Sequence, residues 1–279
     1  MFFDTHCHLN FEAFDGKVDE VIDRAKKTGV NQIVIPGTDV DTSEKAVAIA
    51  EKYDGIYAAV GIHPHHIFEI YSKSSIPKFF DGKPQTAKNL VSSLFKLLSH
   101  PKVVAVGEVG IDRHIYQKTK YPNYKIEEEF VELQKIILKE QIKLAVEYGK
   151  SLVLHNREAK KEMFEVLNDV WDKKLEGRSV FHCCEPDETL LEFAKDHKMF
   201  IGVDGDIAYY KEKQQFIKTV PLEMLVLETD SPFLSSTKQF PNEPKNIILI
   251  AEFIAKLKNI SIKKIAKITT ENARKLFKI

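Results

Sequence analysis

Residues 2–9 read Phe2-Phe3-Asp4-Thr5-His6-Cys7-His8-Leu9. The stretch is short and opens on two apolar residues, as a strand entering a buried sheet can, and its imidazoles lie toward the C-terminal end. Side chains two apart on a strand share a side, so His6 and His8 enter one space while Cys7 points the other way. No Gly-x-Gly-x-x-Gly turn follows, which weakens the reading as an open, doubly wound dinucleotide-binding sheet.

Seven further strand candidates follow at 32–38, 56–63, 103–112, 151–156, 179–184, 199–204 and 224–230. Amphipathic segments alternate with them. Ile126, Phe130, Leu133, Ile137, Leu144 and Tyr148 repeat at helical spacing, and 15–29, 41–54, 244–258 and 261–278 read similarly, the first stopping at Gly29. Eight βα units without a composition break predict an α/β fold: one (β/α)8 TIM barrel over residues 1–279, with extra C-terminal helices. Segments 65–85 and 113–124 interrupt the rhythm after strands three and four, and read either as rim loops governing substrate access or as tolerated surface insertions.

Lys plus Arg and Asp plus Glu number 41 each, so no global basic field exists to coat nucleic acid. An enzyme gripping a few phosphates locally is not excluded. Three cysteines give no disulfide framework. The opening residues lack a basic region and a long apolar stretch, and no run approaches the roughly 18 apolar residues of a membrane helix. A soluble chain with no signal peptide, no membrane span and no obligate protein partner is expected, cytoplasmic (or nuclear in a eukaryote), with monomer as the default.

Six polar side chains stand at or near the C-terminal ends of five apolar strands: His6, His8, Glu108, His155, His182 and Asp230. That end of a barrel carries the active site. A lone His there is usually a hydrogen-bonded structural residue, and a lone Asp before Ser-Pro a turn or cap. Six together need partners, because an unpaired buried polar group costs several kcal/mol. A pair of divalent cations is the economical answer. Four imidazoles and two carboxylates suit Zn or Mn, with Mg also accepted, and one carboxylate can bridge two ions. Cys184 alternates with Cys183 and reads either as a thiolate ligand on the side of His182 or, better, as a small buried hydrophobe.

With these residues in place, the chain resembles the TatD-type metal-dependent deoxyribonucleases, within the wider amidohydrolase-like metal barrels. The resemblance runs nearly end to end. It is carried by Asp4-Thr5-His6-Cys7-His8-Leu9, Gly61-Ile62-His63-Pro64-His65, Gly107-Glu108-Val109-Gly110-Ile111-Asp112, His155-Asn156-Arg157, His182-Cys183, Glu228-Thr229-Asp230-Ser231-Pro232, Asn242-Glu243-Pro244 and Asn272-Ala273-x-x-Leu276-Phe277. It implies a nuclease cutting DNA phosphodiester bonds from an end, with a water activated between two metals. His6, His8 and Asp230 would hold one cation, His155 and His182 the other, and Glu108 would bridge. Asp230 and Glu108 would be catalytic, Asp230 taking the proton of the attacking water. His63 would contact phosphate or leaving group. Arg157 would either grip phosphate or face solvent at a helix start. By analogy alone, the role would be DNA repair or DNA degradation.

Three departures fall on substrate-facing loops. Cys184-Glu185-Pro186 stand where an aromatic, a Ser and a Gly are usual. Gln239-Phe240-Pro241 replace basic residues and Gly, and Arg113-His114 replace an aromatic. They bear on substrate preference more than on metal binding. The alternative function is hydrolysis of a small amide, lactone or ester on the same scaffold. Related barrels of that kind often bridge their metals through a modified Lys on strand four, where this chain has Glu108.

Overall fold

Strands that read as apolar on both faces must be covered on both faces, and they are. The computed structural model describes residues 1–73 and 91–279. Eight parallel strands pair in chain order: β1 (Phe2–Asp4), β2 (Val30–Pro36), β3 (Ile56–Val60), β4 (Val103–Asp112), β5 (Ser151–Arg157), β6 (Ser179–Phe181), β7 (Phe200–Val203) and β8 (Leu225–Leu227). Helices pack outside: α1 (Val18–Lys27), α2 (Val40–Lys52), α3 (Pro64–Lys73), α4 (Phe95–Leu98), α5 (Glu128–Glu147), α6 (Lys160–Val170), α7 (Glu188–Asp196), α8 (Lys211–Thr219), α9 (Ile247–Lys258) and α10 (Ile262–Phe277). The last strand returns to the first through Thr5 N–H to Leu227 O (3.0 Å), Asp230 N–H to His6 O (2.9 Å) and a parallel bridge between Cys7 and Ser231. This is the (β/α)8 barrel, with α10 as the additional C-terminal helix.

A cluster of buried residues takes at least one member from every strand: Phe3, Val34, Ala59, Val104, Val153, Val180, Phe200 and Val226. These line the barrel interior, and Leu276 and Phe277 at the end of α10 pack against them, Phe277 lying 5.9 Å from Phe3. The alternation of strand side chains carries that interior face onward to Glu108, His155, His182 and Glu228. Between strands and helices lies a larger apolar layer that includes Cys184. Gly29, at φ +87, ends α1 in the left-handed conformation that Gly tolerates best.

Several strands stop earlier than expected. β1 ends at Asp4 rather than residue 9, because the chain from Thr5 onward alternates partners: Cys7 N–H donates to Val34 O, whereas His8 N–H donates to Ser231 O. β3, β6 and β8 also end short, so His182 lies just past β6 and Asp230 three residues past β8. Helix α3 occupies the start of the segment expected as a rim loop. Pro64 opens it, and Ile67 and Phe68 bury its inner face. Residues 74–85 of that expected loop lie outside the described residues. Segment 113–124 is irregular, as expected.

Where the strands splay, side-chain amides replace the missing ladder bonds. Gln134 of α5 accepts from Asp112 N–H (2.8 Å) and donates to Asp112 O (3.1 Å). Gln141, two turns on, makes the same pair with Ile62 at 2.7 and 3.1 Å. Asn10 donates to Pro36 O, and Asn242 to Thr229 O and Phe233 O. Among the described residues no helix is long and apolar enough to cross a membrane.

Candidate metal centre

The six expected side chains meet at one end of the barrel, around Glu108. This carboxylate is buried at the middle of β4, and its two oxygens face different neighbours. On one side, His6 Nε2 lies 3.3 Å and His8 Nε2 3.6 Å from Glu108 Oε2. The two imidazole nitrogens are 3.2 Å apart, and Asp230 Oδ1 stands 3.7 Å from His6 Nε2 and 3.4 Å from His8 Nε2. On the other, Glu108 Oε1 is 2.9 Å from His155 Nδ1, 3.3 Å from His182 Nε2 and 3.4 Å from His63 Nε2. His6 and His182 link the groups by stacking at 3.6 Å.

These residues fit divalent cations. Ligands at about 2.0–2.1 Å in a tetrahedron are separated by about 3.4 Å along each edge. The first group spans 3.2–3.7 Å on the separations above, with nitrogen and carboxylate donors of the kind Zn and Mn accept. Two imidazole nitrogens aimed at each other are otherwise a poor arrangement unless a proton or a cation lies between them.

Electrostatics follow from crowding. Burial opposes charge on Glu108, yet His63, His182 and His6, with the His155 hydrogen bond, hold its carboxyl well below the usual range. Burial, with the nearby His182, pushes His6 down to about 3. Burial works against a proton on His155 too, but Asp112 and Glu108 lift it to about 9. For His182, Glu228 and Glu108 likewise override burial and raise it well above its ordinary value.

Three residues complete the centre without having been singled out as site residues. Asp112 Oδ2 is 3.1 Å from His155 Nε2, fixing that ring from behind, and accepts from Tyr116 Oη at 2.6 Å. Glu228 Oε1 lies 3.3 Å from His182 Nδ1 and accepts from Cys183 N–H at 2.6 Å. Both acids sit within quoted motifs. Glu228 also follows interior-facing Val226 by two, a position at which a strand buried on both faces offers a charge nothing apolar to meet. The third is Cys183. At φ +44 it breaks the strand alternation, so Cys183 rather than Cys184 lines the cavity, its donor atom within 4.8 Å of those of His182 and Asp230. Cys184 is buried in the apolar layer, as the reading of it as a small buried hydrophobe has it; the alternative, a thiolate on the side of His182, is not what the structure places there.

The centre opens into a cavity of about 640 Å³. His63, Arg157 and Glu185 line it. Arg157 is the last residue of β5 rather than the start of a helix, and lies 5.3 Å from the Tyr116 ring, with Tyr116 Oη 3.4 Å away. Arg113 is turned away into ion pairs with Glu128 and Glu162, and His114 pairs with Glu158.

The family model described as TatD related DNase matches residues 3–278. The metal-dependent hydrolase YabD of Bacillus subtilis is 33% identical over 283 residues, covering all of both chains. The human deoxyribonuclease TATDN3 is 30% identical, covering 98% of this chain and 93% of its own. The crystal structure of the TatD homologue YjjV from Escherichia coli superposes with a TM-score of 0.78 at 28% identity, covering 100% of this chain and 98% of that one. Organophosphorus hydrolase from Deinococcus radiodurans, at 12% identity, covers 99% of this chain and 92% of its own; its TM-score of 0.65 shows a shared barrel alone. The chain belongs to the TatD-related DNase family of metal-dependent hydrolases.

Proposed function

We propose that this protein is a metal-dependent deoxyribonuclease that hydrolyses phosphodiester bonds at a DNA end. The observation that carries the reading is the division of Glu108: one carboxylate oxygen faces His6 and His8, the other faces His155, His182 and His63. Two divalent cations (Zn, Mg or Mn) seated there would supply an activated water and charge stabilisation for phosphate oxygens.

The chain's own residues do the rest. His6, His8 and Asp230 would hold one cation, His155 and His182 the other, and Glu108 would serve both. Asp112 and Glu228 keep the rings of His155 and His182 oriented, as carboxylates behind imidazole ligands do. Asp230, partly open to the cavity, takes the proton of the attacking water. Arg157, steadied by Tyr116, meets phosphate oxygens with a two-pronged donor, and His63 donates to a phosphate or leaving-group oxygen.

End-labelled DNA incubated with Mg, Mn or Zn tests the reading. Nucleotide release that depends on metal and is lost in Glu108→Gln is expected. Losing a bridging carboxylate should cost several kcal/mol, a thousandfold or so in kcat/KM. Absence of release with all three metals, alongside turnover of activated esters or lactones, would reassign the centre to small substrates.

A further inference from the structure

One rim of the cavity is aromatic. Phe11 stacks on the His8 ring at 4.2 Å, Phe233 meets Phe11 edge-on at 6.1 Å, and Phe240 lies 6.4 Å beyond Phe233. The series leads from an imidazole of the centre into solvent, with Phe233 46% and Phe240 71% exposed. Rings of this size normally drive folding by being buried. Here they are displayed, and on a pinned backbone. Phe233 N–H donates to Asp230 O at 2.8 Å, and Phe233 O accepts from the buried Asn242 at 2.9 Å. Asn242 N–H, just past Phe240 and Pro241, donates back to Pro232 O at 2.9 Å.

The other side of the cavity carries Arg157 beside Tyr116, with Glu185 also on the lining. The carboxylate–imidazole centre lies between the two rims. Anion recognition on one side and flat apolar faces on the other are the two needs of a nucleotide, whose phosphate is charged and whose base is a π-surface.

We propose that Phe233 and Phe240 form a stacking subsite for an unpaired nucleobase next to the phosphodiester held at the centre, so that a paired end must fray before it is cut. The subsite rests on the phosphodiesterase reading given above. Stacking on protein rings tolerates every base, because each has a π-face, so the subsite selects for unpaired structure rather than for sequence.

The test uses the metal-loaded full chain and two readouts. The first is fluorescence of an oligonucleotide with a terminal 2-aminopurine and a cleavage-resistant terminal phosphorothioate, labelled at either end in turn. The second is kcat/KM for ordinary oligonucleotides with an intact or an abasic terminal residue. The parent should quench 2-aminopurine and prefer the intact end by roughly 5- to 100-fold. Phe233→Ala and Phe240→Ala should weaken quenching and bring that preference toward unity, and Phe240→Trp should restore both. Cleavage with no difference between intact and abasic ends overturns the subsite and leaves the phosphodiesterase reading standing. Ring-dependent quenching without cleavage overturns the nuclease reading and reduces the rings to a base-binding surface. Self-association lost in Phe240→Ala, with the end preference unchanged, overturns the subsite in favour of a second copy of the chain on this rim.

Discussion

Asp112 and Glu228 meet the candidate centre at the imidazoles of His155 and His182, and Glu228 also at the Cys183 N–H. Removing such a partner typically lowers metal affinity or activity about 10–100-fold. Asp112→Asn and Glu228→Gln should therefore each weaken metal binding by about that factor, read by competition with a chelator; unchanged affinity in both would show the rings are held by other means. A second titratable group lies on the rim. The buried Lys213 ammonium is shared by Asp204 and Asp206, and burial together with Asp204 lifts Asp206 from 3.8 to about 7. A carboxyl that keeps its proton better in the fold than in the open chain makes the fold lose stability as pH rises, here from about 4 to about 7. Asp206→Asn removes that loss, so it should melt a few degrees above the parent at pH 8 and lose this advantage near pH 4, by differential scanning fluorimetry. At this scale much of the centre was legible. Six polar side chains at strand ends have no bland explanation together, and all six converge. What escaped were residues acting through those six. Glu228 stands two places after an interior Val and two before Asp230, and a single acid at that position reads as a turn or cap until His182 is placed beside it. The exchange of Cys183 for Cys184 follows from a left-handed backbone at a non-glycine residue, a bend no local residue type announces.

Helix α5 shows what an element contributes. Its outer position was readable from the spacing of Phe130, Leu133, Ile137 and Leu144, all buried. Its second task was not readable. Gln134 and Gln141 are polar residues on the inward face of an apolar helix, and they cap backbone groups at Asp112 and Ile62 where β4 and β3 part company. Gln141→Leu keeps the volume and removes both bonds, leaving a buried N–H and C=O unmet. A loss of about 1–3 kcal/mol per unmet group, at the low end where the backbone relaxes, is expected from urea unfolding. A change within 0.5 kcal/mol or so would mean the pair contributes little. Strand ends are hidden from the sequence for the same reason as the two glutamines. Apolar character continues past the last regular ladder bond, whereas pairing stops where the mouth opens, and periodicity reports only the former. Helix α3 carried its start signal in Pro64, but the Ser, Lys and Pro content of the residues after it suggested a loop.

For the whole molecule, the balance of 41 basic against 41 acidic residues limits how the proposed DNA substrate could be held. Affinity should come from a few contacts in the cavity and the exposed rings rather than from a diffuse field. Each phosphate neutralised contributes a slope of about −0.7 in log affinity against log salt for single strands. One or two contacts therefore predict a slope between about −0.7 and −1.4 by fluorescence anisotropy; a slope several times steeper would reveal a basic surface that engages the backbone. The barrel's closure has a further consequence. The first strand and the segment after the last are joined where His6, Cys7 and His8 meet Asp230 and Ser231, so the opening and the final quarter of the chain build one centre together. During synthesis the histidines emerge early and wait for a partner more than two hundred residues away. On the proposed assignment a nascent chain, or one truncated before that partner, would lack a complete cation seat and should show no hydrolysis.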